Sequence, residues 1–264
     1  MDLGLRGKTV IVAASSKGLG KAVALAFARE GANVVMFSRS TSAIEAAASE
    51  VRAASIDSTV IGIEADVTRS VDLERVVQTT VERFGGVDVL YNNAGGPKPG
   101  FFDSLTDEDW AAAVDLNLLS AIRLTRLCLP HMRARRWGRI ITGTSSAVKQ
   151  PIANLMLSNS VRSATTAWSK SLSDQVAADG ITVNTLAPGR IMTDRLLQID
   201  ADTAQRSGRS VDEIQNESLR GIPSGRYGQP AEFAAAAVFL ASEPAAYITG
   251  VTLLVDGGLF RGTY

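Results

Sequence analysis

The chain has 264 residues, room for one or two domains of average size. Its 27 Lys and Arg balance 27 Asp and Glu, which excludes a broad basic face for nucleic acid and a polybasic tail for a membrane surface. A globular composition (45% hydrophobic, 20% charged), one Cys and one His exclude a disulfide framework and a Cys/His metal cluster.

Short β-branched runs alternate with Ala-rich stretches of helical spacing. In chain order the expected elements are a strand at Thr9–Ala13, a helix at Leu19–Glu30, a strand at Asn33–Phe37 and a helix at Ser42–Ala54. Then follow a strand at Thr59–Ile63, a helix at Val71–Phe84, a strand at Val87–Tyr91 and a long helix at Asp109–Arg136. The series closes with strands at Arg139–Thr142, Ile181–Leu186 and Val251–Val255, and helices at Leu155–Ala178 and Ala231–Ala241. The strands are apolar nearly throughout, as in strands covered on both faces. Such alternation implies right-handed crossovers and one parallel sheet. The expected architecture is one α/β domain over 1–264, a Rossmann-type doubly wound parallel seven-stranded sheet with helices on both faces. The polar stretch 192–221 interrupts the alternation. Leu196, Leu197, Ile199, Ile214 and Leu219 can form small amphipathic helices there, which points to a lid. No apolar run reaches the ~18 residues of a membrane span, and the run after Lys8 is too short for a signal-peptide core. A cytoplasmic protein is expected.

The first strand runs into Ala13-Ala14-Ser15-Ser16-Lys17-Gly18-Leu19-Gly20, which opens a helix. Small residues there let the backbone approach a pyrophosphate, which sits at the positive helix N-terminus. With Gly18 and Gly20 late in the loop, this stretch resembles the TGxxxGxG motif of the short-chain dehydrogenase/reductase family, with Ala14 at its first Gly position. Further stretches fall into register: Asp66-Val67, Asn92-Asn93-Ala94-Gly95, Asn117 within Asp115–Leu118, Pro188-Gly189, Gly225–Pro230, Tyr247–Gly250 and Val255–Gly258. The chain is identified as an atypical member of that family, similar to 3-oxoacyl-(acyl-carrier-protein) reductases. The resemblance implies adenine contacts at Asp66 and Val67. It implies further nucleotide contacts at Asn93, Ala94, Gly95, Pro188, Gly189 and Ile191, a structural and proton-relay role for Asn117, and a nicotinamide amide contact at Thr193.

The end of the second strand decides between NAD and NADP. An acid there would accept the ribose hydroxyls and repel a 2′-phosphate. The chain offers Ser38-Arg39 and no acid, with Lys17 in the phosphate loop. Two cations and a hydroxyl fit a 2′-phosphate, so the expected cofactor is NADP(H).

The family's catalytic group is a Ser, a Tyr and, four residues on, a Lys that also binds the nicotinamide ribose. Gly138–Thr142 and Ile181–Asn184 align without a gap. Ser145 then falls at the serine position, Ser158 at the tyrosine position and Arg162 at the lysine position. No Tyr lies between Tyr91 and Tyr227. A phenol titrates near ~10 and can be tuned by a neighbouring cation. A serine hydroxyl is a far weaker acid, and an arginine does not release its proton at ordinary pH. The usual relay therefore cannot run.

Three readings follow. In the first, a carbonyl compound (a ketone or 3-oxoacyl-like substrate) is reduced at a Ser145/Ser158/Arg162 site, with Asn117 beside it and Lys149 as the nearest candidate acid. In the second, a non-redox lyase or aldolase-type reaction runs on the same scaffold. In the third, the chain is an NADPH-binding sensor or partner without turnover. His131, the cluster Arg133, Arg135, Arg136 and Arg139, Cys128, Trp110 and Trp137 are read as solvated or packing residues, and Trp168 as packing or interfacial. The resemblance also implies a homotetramer or homodimer through the two long helices.

Overall fold

Residues 2–55 and 57–263 are described by a computed structural model. All seven expected strands are present, each within two residues of its forecast ends. They are β1 (Thr9–Val12), β2 (Asn33–Ser38), β3 (Val60–Glu64), β4 (Val89–Asn92), β5 (Gly138–Gly143), β6 (Ile181–Pro188) and β7 (Thr252–Val255). They pair in the order β3-β2-β1-β4-β5-β6-β7, every ladder parallel. Strand order reverses between β1 and β4, which opens a crevice at the carboxyl ends of those two strands.

The two-residue period of β1 explains the layering. Val10 and Val12 face one side and join Phe27 of α1 (Gly18–Arg29), Ile44 of α2 (Thr41–Ala53) and Phe233, which belongs to the last long helix. Ile11 and Ala13 face the other side and join Val76 of α3 (Ser70–Phe84), along with Cys128 and Val176 from later helices. Both faces of the central strands are buried, which is why they read as continuous apolar runs.

The expected helix over 109–136 is corrected. The chain forms α4 (Asp107–Val114), one wide turn at Asp115–Leu119 and α5 (Ser120–Arg135). In the wide turn the Ser120 N–H bonds back to the Asp115 carbonyl, five residues earlier. One inserted residue barely disturbs apolar spacing, so periodicity does not reveal it; such bulges gather at functional sites. α6 (Met156–Val176) follows β5. The stretch 192–221 holds two helices, α7 (Asp194–Ser207) and α8 (Val211–Gly221), and α9 (Pro230–Ala241) packs on α1. A Ser210/Glu213 capping box starts α8, and a Thr106/Asp109 box starts α4.

The arginine cluster lies at the end of α5 and the start of β5, opposite the carboxyl ends of the strands, and is paired within the chain. Arg133 pairs with Asp179 at 2.9 Å, Arg135 pairs with Asp88 at 2.7 Å, and Arg136 donates to the Ala178 carbonyl at 3.1 Å. Arg139 is buried, which corrects a solvated reading, and burial lowers its pKa while Glu243 partly offsets this. Trp137 has Lys8 Nζ 3.9 Å and Arg139 4.2 Å from its ring centroid, and its Nε1 donates to Glu243 at 2.7 Å. His131 is half-buried on α5, and Cys128 is fully buried with its thiol pKa raised by desolvation. Trp137→Leu removes both cation–π contacts and the hydrogen bond. The expected loss is about 2 kcal/mol of unfolding free energy, read as a lower urea midpoint at unchanged m value.

Candidate active site

The turn from β1 into α1 is built for close approach. The N-terminus of α1 has no side-chain cap at Lys17, so its first N–H groups have no local acceptor. Lys17 and Gly18 are exposed, and Ser16 and Leu19 are half-buried. A Cβ on Gly20 would stand 2.5 Å from the Ala14 carbonyl and 2.9 Å from Asn93 Nδ2, so only Gly fits. Ser15 is stitched in elsewhere. Its hydroxyl donates to the Val12 carbonyl at 2.8 Å and accepts from Phe37 N–H at 3.1 Å, so its side chain is structural. Ala14 sits at φ +47°, a left-handed conformation that a Cβ disfavours.

Asn93, just beyond β4, donates from Nδ2 to the carbonyls of Ala13 and Ala14, at 3.2 Å each. This pair of bonds ties the Asn93-Ala94-Gly95 loop to the phosphate loop across the crevice. At one end of the groove Asp66 Oδ1 accepts from the Thr68 N–H and hydroxyl at 2.9 and 2.8 Å, which leaves Oδ2 free, and Val67 is buried beside it. Ser38 is half-buried, and Arg39 is exposed. Among the described residues neither Arg39 nor Lys17 has an ion-pair partner.

At the other end Thr193 caps α7, accepting from the Leu196 N–H at 3.3 Å. Its Cγ2 lies 4.0 Å from where a Gly18 Cβ would be, so it faces the phosphate loop. Gly189 is tightly packed: a Cβ there would stand 2.6 Å from Asp256 Cβ. Pro188 ends β6, and Ile191 is buried.

The catalytic candidates fall into two groups. Asn117 and Arg162 converge. Asn117 Nδ2 donates to the Gly95 carbonyl at 3.0 Å, and Arg162 Nη2 reaches the same carbonyl at 3.5 Å. Arg162 Nη1 donates to the carbonyls of Gly143 at 3.0 Å and Thr144 at 3.3 Å. Both side chains, with Ala13, Asn93, Ala94 and Gly143, line a narrow cleft. Burial lowers the Arg162 pKa to about 10, which leaves it cationic at neutral pH. Nη1 and Nη2 both donate to main chain, whereas the sequence left them open to a substrate oxyanion. Ser145 Oγ accepts from Ala147 N–H at 3.2 Å, which orients the hydroxyl, and Ser158 lies one turn before Arg162 on α6 and is buried. Lys149 is exposed, just past a short 3₁₀ turn at Ser146–Val148.

Three residues had no functional reading in the sequence. Tyr91 of β4 is fully buried with its hydroxyl unpartnered, and a Cβ on Gly143 would stand 2.7 Å from that hydroxyl. Burial raises its pKa, and Arg162 only partly offsets this. Thr165 donates from its hydroxyl to the Asn117 carbonyl at 3.1 Å. The third, Asp200, is fully buried on α7. The strand position of Tyr91 was legible; its neighbours across the sheet were not.

Residues 13–260 match the family described as Enoyl-(Acyl carrier protein) reductase. The chain is 34% identical over 258 residues to 3-oxoacyl-(acyl-carrier-protein) reductase FabG of Vibrio cholerae, covering 98% of this chain and 99% of that protein. The chain belongs to the short-chain dehydrogenase/reductase family. Among solved structures, L-sorbose reductase from Gluconobacter frateurii, complexed with NADPH and L-sorbose, superposes with a TM-score of 0.94. It is 32% identical, covering 99% of this chain and 100% of that one. YwfH, an NADPH-dependent reductase involved in bacilysin biosynthesis, superposes with a TM-score of 0.92 at 32% identity, covering 97% and 99%.

Two stability tests follow from the geometry. Ala14→Gly relieves the left-handed strain and is expected to raise stability by about 0.5–1 kcal/mol, a thermal midpoint about 2 °C higher. Arg162→Ala removes the Arg162 donors from the carbonyls of Gly143 and Thr144 and one of two donors from the Gly95 carbonyl, and is expected to cost about 3 kcal/mol by denaturant titration, with Arg162→Lys recovering only part.

Proposed function

We propose that the chain is an NADP(H)-dependent oxidoreductase that reduces a carbonyl compound, a ketone or a 3-oxoacyl-like substrate, at an atypical Ser/Ser/Arg site. The observation that carries this reading is the cofactor cradle: an uncapped helix N-terminus, a glycine without room for a Cβ, and Thr193 facing it. The relatives support the chemistry, since L-sorbose reductase was solved with NADPH and its sugar, and FabG is a 3-oxoacyl reductase. Lys17 and Arg39, both exposed, hold the 2′-phosphate in this reading, through charge-assisted hydrogen bonds.

Bound in the groove, the nucleotide supplies the hydride. Ser145 accepts a bond from Ala147 N–H, so its own proton is free to donate to the substrate oxygen. Ser158 offers a second hydroxyl. Arg162 holds the loop after β4 against the end of β5 and contributes positive charge from beneath. The proton comes from solvent or from Lys149. The protein works as a cytoplasmic homotetramer or homodimer paired through α5 and α6, with α7 and α8 as the substrate lid.

A second reading is favoured by the commitment of Arg162 to three carbonyls: the chain binds NADPH without turnover. NADPH consumption against a panel of ketones, β-ketoacyl thioesters and quinones separates the two. Oxidation of NADPH by any of them supports reduction; tight binding with no consumption supports the binder. Cleavage of a substrate with unchanged NADPH would instead support lyase or aldolase-type chemistry.

Arg39→Asp is expected to weaken NADPH binding on the order of 100-fold and turn the preference toward NADH. A variant that still prefers NADPH contradicts the 2′-phosphate assignment. Ser158→Tyr combined with Arg162→Lys restores a phenol and a lysine one turn apart and is expected to raise kcat for carbonyl reduction. No gain means the pocket has been reshaped for other chemistry.

A further inference from the structure

Asp200 is a carboxylate with no exposed surface, in the middle of α7. Taking a charge fully out of water costs several kcal/mol unless it is paired and hydrogen-bonded. Both of its oxygens are satisfied, and each by a different part of the chain. Oδ1 accepts from Arg190 Nη1 at 2.7 Å, on the segment that leaves β6. Oδ2 accepts from the Tyr227 hydroxyl at 3.0 Å, on the segment that returns after α8. The same two segments are zipped by main chain. Gly228 N–H donates to the Arg190 carbonyl at 3.0 Å, and Met192 N–H donates to the Gly228 carbonyl at 2.8 Å. A Cβ on Gly228 would stand 2.5 Å from Ile191 Cδ1, so the contact is close. Residues 190–192 and 227–228 thus form a closed neck beneath α7 and α8. The next residue is Thr193, whose Cγ2 faces Gly18 of the phosphate loop. The neck also explains Arg190. It follows Pro188-Gly189 at the mouth of the groove, where a cation invites assignment to a phosphate, yet its charge is held by Asp200.

We infer that Asp200 is a positioning residue: through Arg190 and Tyr227 it fixes the neck, and so sets where Ile191 and Thr193 meet the nicotinamide end of the cofactor. The inference rests on the proposed reading of the groove as a dinucleotide site. Asp200 touches no part of that groove itself. It acts by preorganising a segment that otherwise depends on two main-chain hydrogen bonds. The adenosine end is held by other elements, the turns after β2 and β3, and is independent of the neck.

The test uses Asp200→Asn in the full chain, with Tyr227→Phe as a milder variant that removes one donor. In the nucleotide-free protein, hydrogen exchange at the Met192 and Gly228 amides is expected to quicken about tenfold relative to the wild type, with the β6 amides unchanged. In calorimetry, NADPH affinity is expected to fall about tenfold. Affinity for 2′,5′-ADP, which carries only the adenosine end, stays at the wild-type value. Tyr227→Phe follows the same pattern with smaller changes. Unchanged exchange at the neck overturns the inference. Equal losses for NADPH and 2′,5′-ADP also overturn it, since they report a general loosening of the fold. A wild type that binds neither nucleotide sinks the cofactor reading and the nicotinamide role with it, while the exchange measurement still decides whether Asp200 holds the neck.

Discussion

A single guanidinium organises the floor of the site. Arg162 is buried and divides its N–H groups among the carbonyls of Gly95, Gly143 and Thr144. Those carbonyls end β5 and follow β4, where a parallel sheet leaves acceptors without ladder partners. A planar fork with several fixed donors can serve them together; an ammonium is a point charge and cannot reach all three in good geometry. On the proposed reading that Arg162 stands at the family's Lys position, the change of side chain goes with a change of physical task. Gly143 and Tyr91 fit the same arrangement. The phenol of Tyr91 occupies the space that a side chain on Gly143 would need, and its hydroxyl stays unpartnered near the buried cation.

The cofactor groove depends on a different economy, in which main chain rather than side chains makes most of the surface. Asn93 holds the two loops at the switch point together from its amide nitrogen. Gly20 keeps the approach clear, and α1 begins without a capping side chain. Such a surface suits an anion that needs several N–H donors and a favourable dipole end. Ala14 is the one local conflict. A residue with a Cβ has been kept at a positive φ beside the anion path, and the resulting strain is local to the turn.

Much of this was legible in the sequence, for identifiable reasons. Strands buried on both faces, such as β1 and β4, announce themselves as short apolar runs; the edge strands β3 and β7 are only partly covered but carry the same β-branched residues, so all seven were located. The helices of 192–221 were legible because Leu196 and Ile214 stand at helical spacing beside polar neighbours. The wide turn at Asp115–Leu119 was not, since one extra residue per turn leaves the apolar pattern almost intact. For the site, alignment to the family's motifs singled out Ser145, Ser158 and Arg162 as candidates. They did not reveal what Arg162 bonds to, because its acceptors are carbonyls, which every residue possesses. Asp200, Arg190 and Tyr227 carry no local signature at all. Their meeting is a product of the path the chain takes through α7 and α8.

The proton remains the point on which the chemistry turns. A carbonyl that receives hydride becomes an alkoxide, and its basicity sets how much help the site must give. In most of the family a phenol tuned by a lysine provides that help. On the proposed reading, the groups offered to the substrate oxygen, Ser145 and Ser158, are neutral hydroxyls, and the buried cation Arg162 is bonded to main chain. Hydrogen bonds from neutral donors stabilise an oxyanion less than charge-assisted ones do. A site of this kind favours substrates that carry part of the burden themselves: carbonyls flanked by electron-withdrawing or conjugating groups, whose reduced forms hold negative charge more easily. A simple dialkyl ketone makes the strongest demand for an acid and is the poorest match. On the proposed reading of Ser145, Ser158 and Arg162 as the catalytic group, the electronic demand of the substrate therefore matters beside its size.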